Sequence, residues 1–204
     1  MQQNDQVTDL ETAEILRQAK QCLENEGDFV EFGCYKGDTT LLLGKLLMKP
    51  TVDKTSPKSV SGKRLFAYDS FAGLPEKSHE DNSSAGQEFK QGALAVSKRE
   101  VAEKIRRAGL KNVVLKKAWF SDLIAQDLPE HIAFAFIDGD FYASQKIALS
   151  LVAPRLASGG VVICHDYNNP DLPGASQAVD EFLAEHHNYT LTARQTLAIL
   201  ALKQ

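Results

Sequence analysis

The sequence predicts an α/β fold, in which helices cover both faces of a mainly parallel sheet of seven strands. Segments of helical periodicity alternate with strand-like apolar runs through most of the 204 residues. The runs at 131–138 and 161–164 are almost continuously apolar, as is typical of parallel strands buried on both faces. The last two runs follow each other without an intervening helix, which predicts that an antiparallel hairpin completes the sheet.

The individual elements follow in order from this alternation. Strands are predicted at residues 28–33, 64–69, 112–116, 131–138, 161–164, 189–193 and 196–202. Helices are predicted at residues 8–25, 38–48, 97–108, 142–156 and 175–187, where apolar residues recur at helical spacing. Thr8 or Asp9 is suited to cap the first helix, and Ser97 with Glu100 has the spacing of a capping box.

Two long segments without periodicity are predicted to be loops. Residues 51–63 are polar and basic, as is typical of a surface loop. Residues 70–95 are rich in Gly, Ser, Asn, Glu and Lys, and a loop of this length in a compact domain is expected to act as a lid or to bind substrate. No linker or repeat is recognisable, so residues 1–204 are interpreted as one domain, of which residues 1–27 contain the N-terminal helix.

The composition argues against several classes of function. The net charge of −4 disfavours a nucleic-acid partner, which requires a basic face. The longest apolar runs are too short to span a membrane, and the polar N-terminus lacks the apolar core of a signal peptide. Three cysteines without metal-type spacing indicate reduced thiols, so a cytoplasmic location is expected. The sequence is compatible with a homodimer but does not fix the oligomeric state.

The turn between the first strand and the second helix contains two glycines, Gly33 and Gly37. After them come Asp38 and Thr39, which are residue types that favour helix N-termini. A strand that feeds a helix in this way leaves backbone N–H groups beside an open crevice, where they can bind a carboxylate. Glu31, near the end of the strand, could bind an ammonium group.

The second strand ends in an acidic residue, Asp69, at the position where dinucleotide-binding proteins hold a ribose by its hydroxyls. The preceding glycine turn is Gly-x-x-x-Gly, not the Gly-x-Gly-x-x-Gly pattern that accommodates a pyrophosphate. A ligand with a ribose at one end and a zwitterionic amino acid at the other is S-adenosylmethionine, and the residues therefore point to this cofactor. The alternative is that Asp69 only caps its own turn.

Four polar residues, Asp138, Asp140, His165 and Asp166, follow the fourth and fifth strands. Because the carboxyl ends of parallel strands share one edge of a sheet, these side chains are expected to cluster. Their charges would repel or shift in pKa unless a cation joined them, and carboxylates favour Mg²⁺ or Mn²⁺. A metal there would lower the pKa of a substrate hydroxyl. Two solvated capping turns are the alternative interpretation.

Six stretches, in order between residues 28 and 186, match one known family. They are Val30–Gly37, Tyr68–Glu76, Lys117–Asp122, Ile137–Ser144, Gly159–Tyr167 and Pro173–Phe182. The most specific is Asp-Ser-Phe-Ala-Gly-Leu-Pro, which begins at Asp69. The chain thus resembles the metal-dependent, S-adenosylmethionine-dependent O-methyltransferases of the TylF type, which tailor macrocin, mycinamicin and novobiocin. The resemblance implies a Rossmann-like class I methyltransferase fold.

The resemblance also implies roles for the residues at matching positions. It implies that Asp138 is a catalytic, metal-binding aspartate that also adjoins the cofactor, and that His165 and Asp166 stand where the family has paired acids. The cofactor-binding residues that it implies lie in three groups. They are Glu31, Gly33 and Gly37 at the methionine end, with Tyr35 and Thr39 in the same turn; Asp69 at the ribose, with Ser70 and Phe71 beside it; and Trp119, Phe120 and Ser121 at the adenine.

The chain departs from the family at His165, where many relatives have a second aspartate. An imidazole weakens the case for Mg²⁺ and admits Mn²⁺, Fe²⁺ or Zn²⁺. Alternatively, His165 acts as a general base without a metal. Asp140 is expected to support the site without ligating the metal.

The sequence therefore predicts methyl transfer from S-adenosylmethionine to a hydroxyl of a small molecule, such as a sugar or another natural product. Asp138 and His165 are the predicted catalytic residues, and Asp138, His165 and Asp166 are the predicted metal ligands. Two alternatives stay open. An NAD(P)-dependent oxidoreductase on the same sheet is disfavoured by the missing glycine pattern, and a cofactor-binding module without catalysis is disfavoured by the presence of Asp138 and Asp166.

Overall fold

Every predicted strand and helix is present in the computed structural model, which describes residues 7–48, 62–84 and 86–203. The strands are β1 (Asp28–Phe32), β2 (Leu65–Asp69), β3 (Val113–Lys117), β4 (Ile132–Ile137), β5 (Leu156–Cys164), β6 (Tyr189–Arg194) and β7 (Leu197–Leu202). The helices are α1 (Asp9–Gln21), α2 (Asp38–Leu47), α3 (Lys98–Arg107), α4 (Tyr142–Val152) and α5 (Pro173–Glu185). The polar N-terminal stretch and, except for its last two residues, the predicted loop at 51–63 lie outside the described residues.

The strands form one sheet in the order β3-β2-β1-β4-β5-β7-β6. The five strands from β3 to β5 pair in parallel, whereas β7 pairs antiparallel with both β5 and β6. The predicted parallel sheet with a C-terminal antiparallel hairpin is thus confirmed. The strand order reverses between β1 and β4, and in open α/β sheets this reversal leaves a crevice at the carboxyl ends of the two strands.

Helices pack on both faces of the sheet, as predicted. On one face, Ile15 of α1 and Leu43 of α2 join Phe134 of β4 in an apolar cluster. On the other face, Leu149 of α4 packs with Ala135, the next residue of β4. Both faces of this central strand are therefore buried, and each large side chain so buried contributes about 2 kcal/mol. No helix in the described part of the chain has the length and apolarity to cross a membrane.

The starts of two helices differ in part from the prediction. Gly37, not Asp38 or Thr39, is the N-cap of α2, and its φ of 80° lies in the left-handed region that favours glycine. Ser97 is the N-cap of α3, but its side chain makes no capping hydrogen bond, so the predicted box with Glu100 does not form. Residue preferences for the N-cap position identified suitable residue types. The path of the chain that enters the helix decides which residue occupies the position.

The N-cap of α1 agrees with the prediction, whereas β5 begins earlier than predicted. Thr8 caps α1 through a capping box with Glu11. β5 begins at Leu156 and not at residue 161, because Leu156 pairs with Ile132 before the register between β5 and β4 shifts. Gly159 and Gly160, which precede the predicted strand, are thus part of β5.

The described part of the loop at 70–95 is anchored to the start of α4. The buried carboxylate of Asp81 accepts a hydrogen bond from the Tyr142 backbone N–H at 2.7 Å. Leu74 of the same loop packs with Phe141 and Leu172 in a small apolar cluster. The loop thus lies over the carboxyl edge of the sheet, and its action as a lid stays a prediction.

Candidate active site

The carboxyl ends of four neighbouring strands share an unusual backbone feature. Non-glycine residues with positive φ follow β1, β2, β4 and β5, at Tyr35 (42°), Phe71 (54°), Asp140 (52°) and Asp166 (63°). Each such residue costs of the order of 1–3 kcal/mol and persists where the surrounding structure enforces it, commonly at functional sites. The strain therefore marks this edge of the sheet as the candidate site.

An apolar cavity of about 230 Å³ opens at this edge. Among its lining residues are Asp69 and Ser70 after β2, and the predicted adenine-side residues Trp119, Phe120 and Ser121 after β3. The loop at 70–95 and helix α4 supply further apolar walls, including Leu74, Leu94 and Ile147. The cavity is thus suited to a flat, largely apolar group with a polar attachment point.

Asp69 is held rigidly at the wall of the apolar cavity. One carboxylate oxygen accepts the Phe71 N–H at 2.7 Å, and the other accepts the Tyr35 N–H at 2.9 Å. Burial raises the pKa of Asp69, and these backbone hydrogen bonds oppose that rise. Because each oxygen has a second lone pair, the fixed carboxylate can still accept hydrogen bonds from two ligand hydroxyls. Capping and ligand binding are therefore compatible at this residue.

A second, polar cavity of about 170 Å³ adjoins the first. It is lined by Glu31, by Lys36 and Thr39 of the glycine turn, and by Asp9 and Thr12 of α1. Three residues, Gly33, Tyr35 and Asp138, line both cavities. A single ligand that extends through both cavities would therefore pass Asp138 at its middle.

Glu31 is fully buried at the wall of the polar cavity. Its Oε2 accepts the Thr40 hydroxyl at 2.5 Å, whereas its Oε1 has no hydrogen-bond partner among the residues that the structure describes. Burial raises the pKa of Glu31 to about 8, with the charges of Asp138 and Asp69 adding to the effect and the Thr40 hydrogen bond opposing it. A buried oxygen without a partner is costly, and a cationic ligand group would satisfy it.

Both glycines of the turn are required by the backbone. Gly33 has a φ of 87°, and a Cβ there would lie 2.0 Å from the carbonyl oxygen of Asp138. Gly37 has a φ of 80°, and a Cβ there would lie 2.9 Å from a methyl carbon of Val101. The turn can therefore lie close against the end of β4, where it brings the two cavities together.

Asp138, His165 and Asp166 form a compact cluster, as predicted from their positions at strand ends. Nδ1 of His165 lies 2.8 Å from Asp138 Oδ1 and 3.3 Å from Asp166 Oδ2. One donor atom from each residue lies within 4.8 Å of the others. Although burial favours the neutral imidazole, the adjacent carboxylates raise the pKa of His165 well above its ordinary value. Burial, with the charges of Asp166 and Asp138, likewise raises the pKa of Asp140.

Some predicted residues contribute through their backbone or lie apart. Phe71 is not among the described residues that line either cavity; its ring packs with Val101 and Ile105, and only its N–H reaches Asp69. Ser70 closes its own turn, since its hydroxyl donates to the Gly73 carbonyl oxygen at 3.2 Å. These observations fit supporting roles better than direct contact for Phe71.

Two buried residues at the cluster were missed by the sequence analysis. Glu11 of α1 places Oε2 3.8 Å from His165 Nε2. Gln145 of α4 donates to the His165 carbonyl oxygen at 3.0 Å. The capping-box spacing of Thr8 and Glu11 was visible in the sequence, but it indicates a helix start and not a neighbour of the site.

A family model described as Macrocin-O-methyltransferase (TylF) matches residues 11–193. The chain belongs to this family. It is 30% identical over 183 residues to demethyldecarbamoylnovobiocin O-methyltransferase of Streptomyces niveus, a match that covers 83% of this chain and 65% of that protein. It is 31% identical over 147 residues to an 8-demethyl-8-(2,3-dimethoxy-alpha-L-rhamnosyl)-tetracenomycin-C 4'-O-methyltransferase of Streptomyces olivaceus, covering 69% of this chain and 53% of that protein.

The family assignment agrees with the fold. The solved structure of the O-methyltransferase NovP superimposes with a TM-score of 0.75 and 26% sequence identity, covering 95% of this chain and 81% of that one. The matched part of the chain nevertheless spans less than two thirds of the curated relatives, 65% and 53% of their lengths. The fold and the family of the chain are therefore shown.

Proposed function

We propose that the protein is an S-adenosylmethionine-dependent O-methyltransferase that acts on a hydroxyl of a small molecule. Membership of the Macrocin-O-methyltransferase family supports this reaction class. The observation that carries the proposal is that Gly33, Tyr35 and Asp138 line both the apolar and the polar cavity. The sulfonium of S-adenosylmethionine lies between its adenosyl and amino-acid parts, so a molecule that occupied both cavities would have its sulfonium near the residues that line both, Asp138 among them.

The residues of the two cavities fit this cofactor. The unpartnered Oε1 of Glu31 is suited to its ammonium group, and the N-terminus of α2 to its carboxylate. Asp69 is suited to accept hydrogen bonds from the ribose hydroxyls, and Trp119, which is partly exposed at the cavity, to cover the adenine. These roles match those that the sequence resemblance implies.

Asp138 is the group in the cluster that can meet the acceptor. Its side chain is 18% exposed and lines both cavities, whereas the side chain of His165 is 4% exposed and lies behind it. When bound, S-adenosylmethionine supplies an electrophilic methyl group on its sulfonium. Asp138 would take the proton of the acceptor hydroxyl as the methyl group is transferred, and would later pass that proton to solvent. His165 fixes the Asp138 carboxylate through their 2.8 Å contact.

The same cluster fits a divalent metal ion. Two carboxylates and an imidazole nitrogen within 4.8 Å of one another form a mixed donor set that suits Mn²⁺, Fe²⁺ or Zn²⁺ better than Mg²⁺. Asp138, His165 and Asp166 would hold the ion, which would act as a Lewis acid toward the acceptor hydroxyl. Chelation followed by separate addition of each ion tests this assignment. Turnover that is unchanged by complete metal removal would assign the reaction to the side chains alone.

The activity itself is tested by S-adenosylhomocysteine release over a panel of hydroxylated acceptors that includes deoxysugars and phenols. We expect release that depends on an acceptor and a product that is one methyl group heavier by mass spectrometry. Tight S-adenosylmethionine binding without release on any acceptor would favour a cofactor-binding module. Binding of NAD(P) in place of S-adenosylmethionine would favour an oxidoreductase, which family membership already disfavours.

A further inference from the structure

Glu11 lies directly behind the proposed metal cluster. Its side chain is 3% exposed, and its Oε2 is 3.8 Å from His165 Nε2, within ion-pair range but longer than a hydrogen bond. The other ring nitrogen, Nδ1, faces Asp138 and Asp166. The imidazole is therefore located between one carboxylate on α1 and two carboxylates at the ends of β4 and β5.

The Glu11 carboxylate is itself fixed at both oxygens. Oε2 accepts the Thr8 N–H at 2.9 Å and the Thr8 hydroxyl at 2.7 Å. Oε1 accepts the Thr196 N–H at 3.3 Å and the Thr196 hydroxyl. Two of these partners are backbone N–H groups, one at each oxygen, and a backbone N–H can only donate. Both positions of the side-chain terminus must therefore be hydrogen-bond acceptors, as in a carboxylate. An amide in place of the carboxylate would direct its NH₂ group at a donor.

We propose that Glu11 is a positioning residue that holds His165 with Nδ1 directed toward Asp138 and Asp166. This inference rests on the metal site of the proposed function. A histidine that ligates a metal through one ring nitrogen commonly directs the other N–H to a carboxylate, which fixes the orientation of the ring and its tautomer. Glu11 stands in the position of that carboxylate, at ion-pair distance from Nε2 of His165. It connects α1 and the β6–β7 turn to the site.

The test measures Mn²⁺ affinity by calorimetry on the full chain, with Mn²⁺ alone as the probe. Loss of such a supporting carboxylate typically weakens metal binding by about 10–100-fold. Since the 3.8 Å separation is long, we expect Glu11→Gln to weaken Mn²⁺ binding by about 10-fold. Glu11→Asp, which withdraws the carboxylate by one methylene, is expected to act in the same direction and serves if the glutamine variant does not fold.

Two controls separate positioning from a purely structural role. Thr196→Val removes a hydroxyl bond to Glu11 but leaves the His165 side of its carboxylate untouched, so Mn²⁺ affinity should stay within about twofold. In a His165→Asp background there is no imidazole to orient, and Glu11→Gln should no longer weaken Mn²⁺ binding. A structural defect would weaken binding in both backgrounds.

Three results would overturn the inference. They are a wild-type protein that does not bind Mn²⁺, an unchanged affinity in the Glu11 variants, and an equal loss in Thr196→Val or in the His165→Asp background. The proposed function fails separately, if the wild type releases no S-adenosylhomocysteine with any acceptor. Methyl transfer without Mn²⁺ binding would leave the function standing and remove the role of Glu11.

Discussion

The two halves of the candidate site satisfy their buried charges in different ways. In the half formed by β1 and β2, Glu31 keeps one carboxylate oxygen without a partner among the described residues, and each carboxylate oxygen of Asp69 accepts a backbone N–H. In the half formed by β4 and β5, Asp138 and Asp166 both contact the His165 imidazole. The first half has free acceptor capacity, whereas the second half pairs its own charges.

This difference indicates that the two halves have separate roles, one in binding and the other in catalysis. Free acceptor capacity in a buried carboxylate is satisfied when a cationic or hydroxylated ligand arrives, so the β1–β2 half is suited to binding. A group that is already paired and oriented is suited to proton transfer or to holding a metal, because its geometry is set before the substrate arrives. Substitutions in the two halves should therefore affect cofactor affinity and turnover separately.

The largest effect is expected for Asp138→Asn. The amide keeps the size of the carboxylate but cannot accept a hydroxyl proton, and general-base loss is typically worth 10²–10⁴ in rate. We expect turnover to fall by about 1,000-fold and the S-adenosylmethionine dissociation constant to change by less than about threefold. Saturation kinetics and calorimetry on one preparation measure both. If Asp138→Asn lost much of its S-adenosylmethionine affinity but kept its turnover, the separate roles of the two halves would be contradicted.

Glu31→Gln is expected to show the opposite pattern. Loss of the charge opposite the ammonium group removes a charge-assisted hydrogen bond, which is worth about 1.5–3 kcal/mol, or about 10–100-fold in affinity. Turnover at saturating S-adenosylmethionine should stay within about threefold, since Glu31 does not meet the acceptor in this account. Asp38→Asn, which lies at the same cavity but pairs with Lys104, is the matched control and should change affinity little.

A smaller effect is expected for Trp119→Ala. The indole lines the apolar cavity, where the proposed function places the adenine, and an aromatic stacking contact is worth about 0.5–1.5 kcal/mol. We expect S-adenosylmethionine affinity to fall by about 3–10-fold and Trp119→Phe to recover most of it. Unchanged affinity in the alanine variant would place the adenine elsewhere.

The smallest signal is a proton released on cofactor binding. Because folding raises the pKa of Glu31 from 4.5 to about 8, Glu31 is protonated in the free protein at neutral pH and destabilises it as the pH rises toward 8. Pairing with an ammonium group requires the ionised form, so binding at about pH 6.5 should release up to one proton and affinity should rise toward pH 8. Calorimetry in buffers of different ionisation enthalpy measures this. Glu31→Gln should abolish the release.

The local sequence pattern was sufficient to identify most residues of the candidate site. Glu31, Asp69, Asp138 and His165 stand at the ends of buried strands, and parallel strands necessarily bring such ends to one edge. The resemblance to a known family supplied the adenine-side residues. Neither the local pattern nor the resemblance predicted how helices and turns distant in sequence pack against the carboxyl edge of the sheet.

The residues that the sequence analysis missed depend on contacts between elements that are distant in the chain, which a local pattern cannot predict. Glu11 reaches His165 only because α1 and the β6–β7 turn pack beside β5, and Asp81 reaches α4 across a loop without periodicity. Both are acidic residues that a sequence reading assigns to solvent. Gly37 is the N-cap of α2 with a φ of 80°, and a Cβ there would lie 2.9 Å from a methyl carbon of Val101 on α3. Cap propensity contains neither constraint.

The most direct measurement is transfer of a ¹³C-labelled methyl group from S-adenosylmethionine, followed by NMR of the product. The account predicts an O-methyl signal on a hydroxylated acceptor with the wild-type protein. It also predicts that Asp138→Asn, which still binds S-adenosylmethionine, produces this signal about 1,000-fold more slowly. The absence of label on any hydroxylated acceptor with the wild type, or full transfer by Asp138→Asn, would contradict the account.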